Sequence, residues 1–336
     1  IFCFSCRQTP EEKGEALAKK TCASCHKFPD PNLLDKKTWN EGVLPEMAYR
    51  LGIGNRFELL TNIPDEQYQS AMKLDIYQID AFAEKQFEGN PAAVVPLDEW
   101  LPDSIMQTIA EENNLSETAF FVPLESGYHI RWFTPNKEVK LCGHATLASA
   151  YVLFNILGCK EKVLSFESLS GVLFVSKEGD LLTLDFPVQP PETGSTPAPL
   201  VAGLGKVPLE CLKHADYVAV FENEEDILSI IPNHEYLKQL DLRGVIVTAP
   251  SSEFDFVARV FAPKFGVPED PVTGSAYTQL VPYWSSRLGK SQLKAKQVSS
   301  RGGKLICELR GDRVLISGSA VTYMVGSIEI GNPLEK

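Results

Sequence analysis

The chain has 336 residues, of which 44% are hydrophobic and 23% charged, and it carries a formal net charge of −12 with a pI near 5.0. This acidic balance argues against nucleic acid or an anionic membrane surface as the main partner, because both require a basic face. No run approaches the roughly 20 apolar residues of a membrane span, so we expect a soluble chain with one large or two smaller domains.

The N-terminal segment contains four of the eight cysteines. Cys22-Ala-Ser-Cys25-His26 has the spacing of c-type haem attachment, in which two thiols form thioethers and the histidine ligates the iron. Met47 is the candidate second axial ligand, and zinc is the alternative for the thiols, although a fourth ligand is not evident. Residues 1–71 are therefore predicted to be a short cytochrome c-like unit with covalent haem or a non-native extension.

The predicted cellular location of the protein depends on residues 1–71. The opening residues resemble the end of an apolar export signal, with Ser5-Cys6 as a lipoprotein cleavage point. Covalent haem is attached after export, so a genuine haem unit predicts a periplasmic or lipoprotein-anchored protein. Met72 looks like an ordinary start codon, and we expect the part of the chain that follows it to be cytoplasmic. The favoured interpretation of residues 1–71 is a joined gene or a cytochrome remnant without haem.

From residue 72 the pattern predicts a half of alternating strands and helices. Apolar and polar residues alternate as in a half-buried strand, and turn residues separate this strand from the next one. The predicted elements, in order, are strands at 73–82 and 92–96, a helix at 98–114, a strand at 116–122, and an apolar helix at 144–157 that Gly158 ends.

A second half is predicted after a segment rich in Pro, Gly, Ser and Thr at 189–199, which is interpreted as an interdomain linker. Its elements are a strand at 244–248, a helix at 274–289 that Pro282 should bend, and closing strands at 314–317 and 322–330. We expect one half at 72–188 and the other at 189–319, with the C-terminal strand 320–334 returning to the first.

One pattern occurs in both halves. Arg-x-Phe-x-Pro begins at Arg131 and again at Arg259, and each copy leads through a polar connection to a glycine, Gly143 or Gly274, at the start of a helical segment. A helix start leaves backbone N–H groups unpaired and carries partial positive charge. The repeat therefore predicts a duplicated fold in which two facing helix starts form a pocket for an anion, typically a carboxylate.

Four polar residues are candidates for chemistry, and each has a plainer alternative. Glu117 is either a partly desolvated carboxyl that exchanges protons near neutral pH or a strand-end glutamate facing solvent. His144 either hydrogen-bonds a substrate or caps its helix. Asp270 is a second proton carrier, a fixed acceptor, or a turn residue before proline. Ser275 offers its N–H group to a carboxylate or serves as an N-cap.

Several motifs, in this order, resemble the phenazine-biosynthesis PhzF-like proteins from residue 72 to the C-terminus. The motifs are Asp80-Ala-Phe82, Gly89-Asn90-Pro91-Ala-Ala-Val94, Asn114-Leu-Ser-Glu117-Thr-Ala, Cys142-Gly-His144-Ala-Thr and Asp270-Pro-Val-Thr-Gly274-Ser275. The resemblance implies an α+β fold like that of diaminopimelate epimerase. Such a fold has two similar halves, each a curved mixed β-sheet around a central α-helix, with the active site in the cleft between them.

The resemblance also implies a reaction. Glu117 would be the general acid/base that removes a proton from a substrate carbon and returns it elsewhere, while His144 and Asp270 would orient the substrate. The substrate would be a small carboxylate-bearing metabolite, and no metal or organic cofactor is implied for this part of the chain. A homodimer is compatible with the resemblance. The substrate carboxylate would be received by backbone groups at Gly143, Gly274 and Ser275.

Two other functions stay open. Cys142 stands where related epimerases have a catalytic thiol, but Pro271 and Val272 occupy the region of the second thiol. Cys142 is therefore interpreted as a packed core thiol, with a cysteine-dependent epimerase as the alternative. The other alternative is an exported c-type haem electron-transfer protein whose large domain only binds a metabolite.

Overall fold

The computed structural model describes residues 72–331, so the candidate haem residues Cys22, Cys25, His26 and Met47 lie outside the described residues. Within this range the chain forms 18 β-strands and six α-helices. The strands are β1 (Met72–Ala81), β2 (Asn90–Pro96), β3 (Glu117–Pro123), β4 (Tyr128–Phe133), β5 (Glu138–Val139), β6 (Val163–Ser168), β7 (Gly171–Glu178), β8 (Leu181–Pro187), β9 (Glu192–Thr193), β10 (Glu210–Lys213), β11 (Tyr217–Val220), β12 (Val245–Pro250), β13 (Phe256–Ala262), β14 (Val267–Asp270), β15 (Gln292–Gln297), β16 (Gly303–Arg310), β17 (Arg313–Gly318) and β18 (Ala320–Ile330). The helices are α1 (Asp103–Asn113), α2 (Gly143–Tyr151), α3 (Ala198–Leu204), α4 (Glu224–Leu228), α5 (His234–Leu237) and α6 (Tyr277–Leu288).

Short irregular helices extend two of these elements. A π-helical segment, Val152–Ile156, continues α2, and a 3₁₀ turn, Gly274–Ala276, leads into α6. Across the described part of the chain, no helix is both long and apolar enough to cross a membrane.

The strands pair in the same order in two successive halves, which confirms the predicted α+β fold and its duplication. In the first half, β1–β2 is antiparallel, β2–β3 parallel, β3–β4 antiparallel, β4–β6 parallel, and β6–β7–β8 antiparallel. The second half repeats these directions from β10 to β17. The central helices α2 and α6 occupy equivalent places, since α2 lies between β5 and β6 in the chain and α6 between β14 and β15.

The two halves exchange their last strands. Strand β8 pairs antiparallel with β17, so the halves meet along a continuous ladder. After β8 the chain crosses over, and β9 pairs with β10 of the second half. After β17 it crosses back, and β18 pairs with β1 of the first half over its whole length. These hydrogen bonds hold the halves at a fixed separation, which also fixes the width of the cleft between them.

Each half has an element boundary that differs from the sequence prediction. Helix α1 begins five residues later than expected, at Asp103, because Pro102 takes the N-cap position and disfavours helix in the residue before it. The predicted linker at 189–199 contains strand β9 and the start of α3, so part of it is ordered by pairing with β10. Composition alone gave no signal for a two-residue strand that exists only through this pairing.

Helix α2 is buried on nearly all sides. Eight of its nine residues are buried, and most of them are Gly, Ala, Ser or Thr. Small side chains let the surrounding strands approach the helix closely, and the hydroxyls of Thr146 and Ser149 donate to the carbonyls of Cys142 and Ala145 within the helix. An apolar helix of this kind requires a sheet curved around it.

The proline predicted to bend α6 has a compensating hydrogen bond. Pro282 has no N–H group to donate to the carbonyl of Thr278, four residues earlier. That carbonyl accepts instead from the backbone N–H of Gln189 at 3.0 Å, and the Thr278 hydroxyl donates to the Gln189 side chain at 2.9 Å. The helix ends at Gly289, as the sequence predicted, and this glycine has the left-handed conformation that is common after the last helical residue.

The repeated arginines brace equivalent strands. Arg131 donates through Nε and Nη2 to both carboxylate oxygens of Glu138, and its guanidinium lies over the Phe133 ring. Arg259 makes the same pair of bonds to Glu269, and its guanidinium lies over the Phe261 ring. In both copies the motif thus fixes the connection that leads to a central helix.

We expect the Arg259–Glu269 ion pair to contribute more to stability than the Arg131–Glu138 ion pair. Arg259 is almost buried and also donates to the carbonyls of Ile227 and Ile230, which would lose their partner in Arg259→Leu. This change should lower the free energy of unfolding by about 3 kcal/mol, and Arg131→Leu by about 1 kcal/mol. Urea unfolding of both variants measures the difference. Equal losses would contradict the role given to the two carbonyls.

Candidate active site

A cleft of about 220 Å³ opens between the two halves. Ligand sites in proteins are usually concave and contain a few convergent polar groups, and a cleft of this size suits a small metabolite. Its walls contain all six residues that the sequence selected for an isomerase site: Glu117, Gly143, His144, Asp270, Gly274 and Ser275. The structure thus brings together residues from both halves of the repeat.

Glu117 is placed by the end of the preceding helix. Asn114 ends α1 in the left-handed conformation (φ 47°), which asparagine tolerates better than most residues. The chain then turns so that β3 begins at Glu117, paired in parallel with Ala92 of β2. The Glu117 side chain is only 17% exposed. Burial, together with the charge of Asp270, raises the pKa of Glu117 to about 8.

His144 lies beside Glu117, in the first turn of α2. Its Nε2 is 3.3 Å from Glu117 Oε2, and its Nδ1 is 3.3 Å from Nδ2 of Asn90, which is only a donor. The tautomer that fits these neighbours therefore carries its proton on Nε2, facing the carboxyl group. Burial lowers the pKa of His144 to about 3, so the ring is neutral and can orient a carboxylate without protonating it.

Asn90 joins the two halves of the site and is a functional candidate that the sequence interpretation missed. It is fully buried, and its Nδ2 donates to Asp270 Oδ1 at 2.7 Å and to the Val272 carbonyl at 2.9 Å. The same nitrogen faces His144. The motif Gly89-Asn90-Pro91 carried part of the family resemblance, but as a turn it gave no sign that the amide reaches the other half.

Asp270 is the acceptor for groups from both halves. Besides the Asn90 bond, its Oδ2 accepts from the Thr273 hydroxyl at 2.5 Å. Burial raises the pKa of Asp270 to about 6, while the bonds from Thr273 and Asn90 and the charge of Arg243 act in the opposite direction. Asp270 is therefore mostly ionised at neutral pH, whereas Glu117 is mostly protonated.

Two buried polar atoms in the cleft have no hydrogen-bond partner within residues 72–331. They are Glu117 Oε2 and His144 Nε2, and the 3.3 Å contact between them does not form a hydrogen bond. Buried polar atoms nearly always have a hydrogen-bond partner. Unpaired atoms that line a cleft therefore mark a place where a ligand would supply the missing partners.

The two helix starts face each other across the cleft floor. A Cβ added to Gly143 would lie 3.6 Å from the Gly274 Cα, so the two backbones are close to van der Waals contact. The N–H groups of the first residues of a helix have no acceptor within that helix. Gly143, Gly274 and Ser275 are therefore placed to offer N–H groups to one anion, and the anion site itself stays a prediction.

Cys142 is a packed core thiol, as the sequence indicated, and it also lines the cleft. It is buried and packs in the main core cluster, yet its Sγ is 3.5 Å from His144 Nδ1. One atom each from Glu117, Cys142 and His144 lies within 4.8 Å of the others, a spacing that a thiophilic cation such as Zn²⁺ would fit. Burial, with the charge of Glu117, raises the pKa of Cys142 well above its ordinary value, which disfavours the thiolate that a metal or a base requires.

Arg243 is the second functional candidate that the sequence interpretation missed. It lines the cleft from the loop before β12, close to Ser275. It belongs to none of the recognised motifs, and a single arginine in a loop gives no sequence signal.

The sequence and the fold were compared with those of known proteins. Residues 79–326 match the family described as phenazine biosynthesis-like protein. An uncharacterised isomerase of Pseudomonas aeruginosa is 54% identical over 259 residues, which cover 77% of this chain and 100% of the relative. The human phenazine biosynthesis-like domain-containing protein is 39% identical over 286 residues, which cover 76% and 99%. A crystal structure of a PhzF family protein from Enterococcus faecalis is 48% identical with a TM-score of 0.75, over 76% of this chain and 99% of that one.

Proposed function

This chain belongs to the phenazine biosynthesis-like (PhzF) family, and we propose that it is an isomerase in which Glu117 moves a proton between two atoms of a small carboxylic acid. Its relatives include proteins named isomerases. The observation that carries the proposal is the Glu117 carboxyl group, which is nearly buried on a rigid strand with a pKa of about 8. A group with a pKa near the working pH both removes and returns a proton efficiently.

The surroundings of Glu117 suit each step of this reaction. In the ionised form Glu117 takes a proton from a substrate carbon, and negative charge then develops towards the neighbouring carboxylate. The helix starts at Gly143 and Gly274 direct N–H groups at that charge, and such preorganised donors stabilise an anionic transition state. The protonated Glu117 then delivers the proton to another atom, while neutral His144, whose Nε2 has no hydrogen-bond partner among the described residues, orients the substrate.

Solvent exchange tests the proposal. The full chain is incubated in D₂O with a panel of small carboxylic acids, and proton nuclear magnetic resonance follows the loss of signal at carbons next to the carboxylate. We expect deuterium to enter at least one acid at a single carbon, and to appear at a second position of its isomer. Absence of exchange from acids that the protein is shown to bind would count against a proton shift.

A serine variant separates this mechanism from a cysteine-dependent epimerase. Because burial keeps Cys142 protonated, we expect Cys142→Ser to retain exchange within about tenfold of the wild type. The hydroxyl has nearly the same shape and can still donate to His144 Nδ1. Deuterium exchange rates of both proteins provide the measurement. A loss as large as that of a Glu117 variant would assign the base to the thiol instead.

The haem alternative concerns residues outside the described range. Among residues 72–331, those that line the cleft lie between Ser116 and Ser275, and the proposed reaction is assigned to groups in this range.

A further inference from the structure

Arg243 is held in one orientation on the wall of the cleft. Its Nε and Nη2 donate to the two carboxylate oxygens of Asp216, at 2.8 and 2.5 Å, and its Nη1 donates to Ser275 Oγ at 3.0 Å. A guanidinium has five protons to donate. These bonds use three of them, and the side chain is 40% exposed, so one proton on each terminal nitrogen remains for a ligand.

Buried groups behind Arg243 fix this orientation. The Asp216 side chain is only 1% exposed, and it accepts a further bond from Gln279 Nε2 at 2.9 Å. Gln279 is itself fully buried in α6, and its Oε1 accepts from the Asp216 backbone N–H at 3.2 Å. A buried carboxylate and amide that satisfy each other in this way leave the arginine little freedom.

We propose that Arg243 binds the substrate carboxylate at the second helix start, and that Asp216 and Gln279 are its positioning residues. The inference rests on the carboxylate site of the proposed function and adds the residue that selects the substrate. Ser275 connects Arg243 to the second helix start, because its hydroxyl accepts a hydrogen bond from Arg243 and its backbone N–H belongs to the start of the helix. A carboxylate placed there meets two directed guanidinium protons and a backbone donor.

The charges of the cleft explain why N–H groups alone are insufficient. The whole chain carries a net charge of −12, and Asp270 in the cleft is mostly ionised at neutral pH. A substrate carboxylate entering this cleft is repelled unless a cation lies close to it. The guanidinium of Arg243 supplies this positive charge, and because Asp216 binds Nε and one proton of Nη2, the two free protons direct the charge at the ligand. The substrate class is accordingly an acid with a free, ionised carboxylate rather than an ester or an amide.

Binding of simple probes tests this assignment without a known substrate. Isothermal titration calorimetry compares benzoate and succinate with benzamide and succinamide, using the full chain with Glu117→Gln to prevent turnover. We expect the acids to bind at least tenfold more tightly than the amides. Arg243→Gln should weaken acid binding by about tenfold or more and leave amide binding unchanged, and Arg243→Lys should lose less.

Two further variants make the result specific. Arg310→Gln removes an arginine that is also paired with a carboxylate, Glu308, but lies outside the cleft lining, and it should bind the acids as the parent does. Asp216→Asn should weaken benzoate binding while benzamide binding stays the same, which a purely structural role of Asp216 would not produce. Melting temperatures identify any variant that fails to fold. The comparison of Arg243→Gln with Arg243→Lys then decides whether Arg243 binds the acids.

The outcomes separate this inference from the proposed function. Equal acid binding by Arg243→Gln and Arg310→Gln, or a Glu117→Gln parent protein that does not prefer acids to amides, would overturn the role of Arg243. Tight, Arg243-dependent acid binding without any proton exchange would instead support Arg243 and contradict the isomerase.

Discussion

The Glu117→Gln variant is expected to lose proton exchange by on the order of 10³-fold while folding normally. Glutamine has the shape of protonated glutamic acid and can keep the contact with His144 Nε2, but it has no proton that it can exchange with a substrate carbon. Deuterium incorporation into an acid that the wild-type protein exchanges is the measurement. Binding of the same acid should change little, since the proposed carboxylate site consists of other groups.

The same variant should be more stable than the wild type at alkaline pH. The pKa of Glu117 rises from 4.5 to about 8 on folding, so the folded state binds this proton more tightly than the unfolded state. Stability from this group is therefore complete at low pH and falls as the pH rises from about 4.5 to about 8, by on the order of a few kcal/mol. Glu117→Gln removes this loss, because it never ionises.

Melting curves between pH 5 and pH 9 test the linkage. We expect the melting temperature of the variant to exceed that of the wild type by an amount that grows up to about pH 8 and then stays constant. Glu138→Gln is the matched control, because Glu138 is partly exposed and paired with Arg131, and its removal should destabilise the protein. Parallel curves for the wild type and Glu117→Gln would show that burial does not raise the pKa of Glu117. The proposed role of Glu117 would then lose its physical basis.

Local patterns predicted the parts of the fold that depend on local physics. Alternation marked the strands, and the glycines at 143 and 274 marked the helix starts, because both signals lie within a few neighbouring residues. The sequence predicted the exchange of β9 and β18 between the halves less completely. The return of a C-terminal strand was expected, but a two-residue strand such as Glu192–Thr193 is defined only by its partner on another part of the chain.

The residues of the candidate site show the same difference between local and distant signals. Glu117 and Asp270 were selected because they stand in motifs, and the structure places both in one cleft. Asn90 and Arg243 acquire their roles only from groups far away in the sequence, Asp270 for the first and Asp216 for the second. No spacing rule links such pairs. The role of Asn90 follows from a topology that brings β2 beside the second half, and that of Arg243 follows from the parallel pairing of β11 with β12, which brings the residues before these strands together.

We expect Asp270 to set the pH range of proton exchange by Glu117, and Asp270→Asn tests this. The charge of Asp270 is the second cause, after burial, of the raised pKa of Glu117. In the wild type we expect exchange to rise with pH and level off above about 8, because only ionised Glu117 removes a proton. Without the Asp270 charge the pKa of Glu117 should fall, so the rising part of the profile moves to lower pH.

The same substitution should reduce the maximal rate by on the order of 10²-fold, since Asp270 is proposed to orient the substrate. Asparagine keeps an acceptor for the Asn90 amide, and the Thr273 hydroxyl can rotate to accept from the new amide, so the fold is preserved. Thr273→Val is the matched control: it removes a hydrogen bond to Asp270 but retains the charge, and the profile should keep its position. A profile that moves equally in both variants would trace the effect to cleft geometry, whereas a shift in Asp270→Asn alone places the two carboxyl groups in electrostatic contact across the halves.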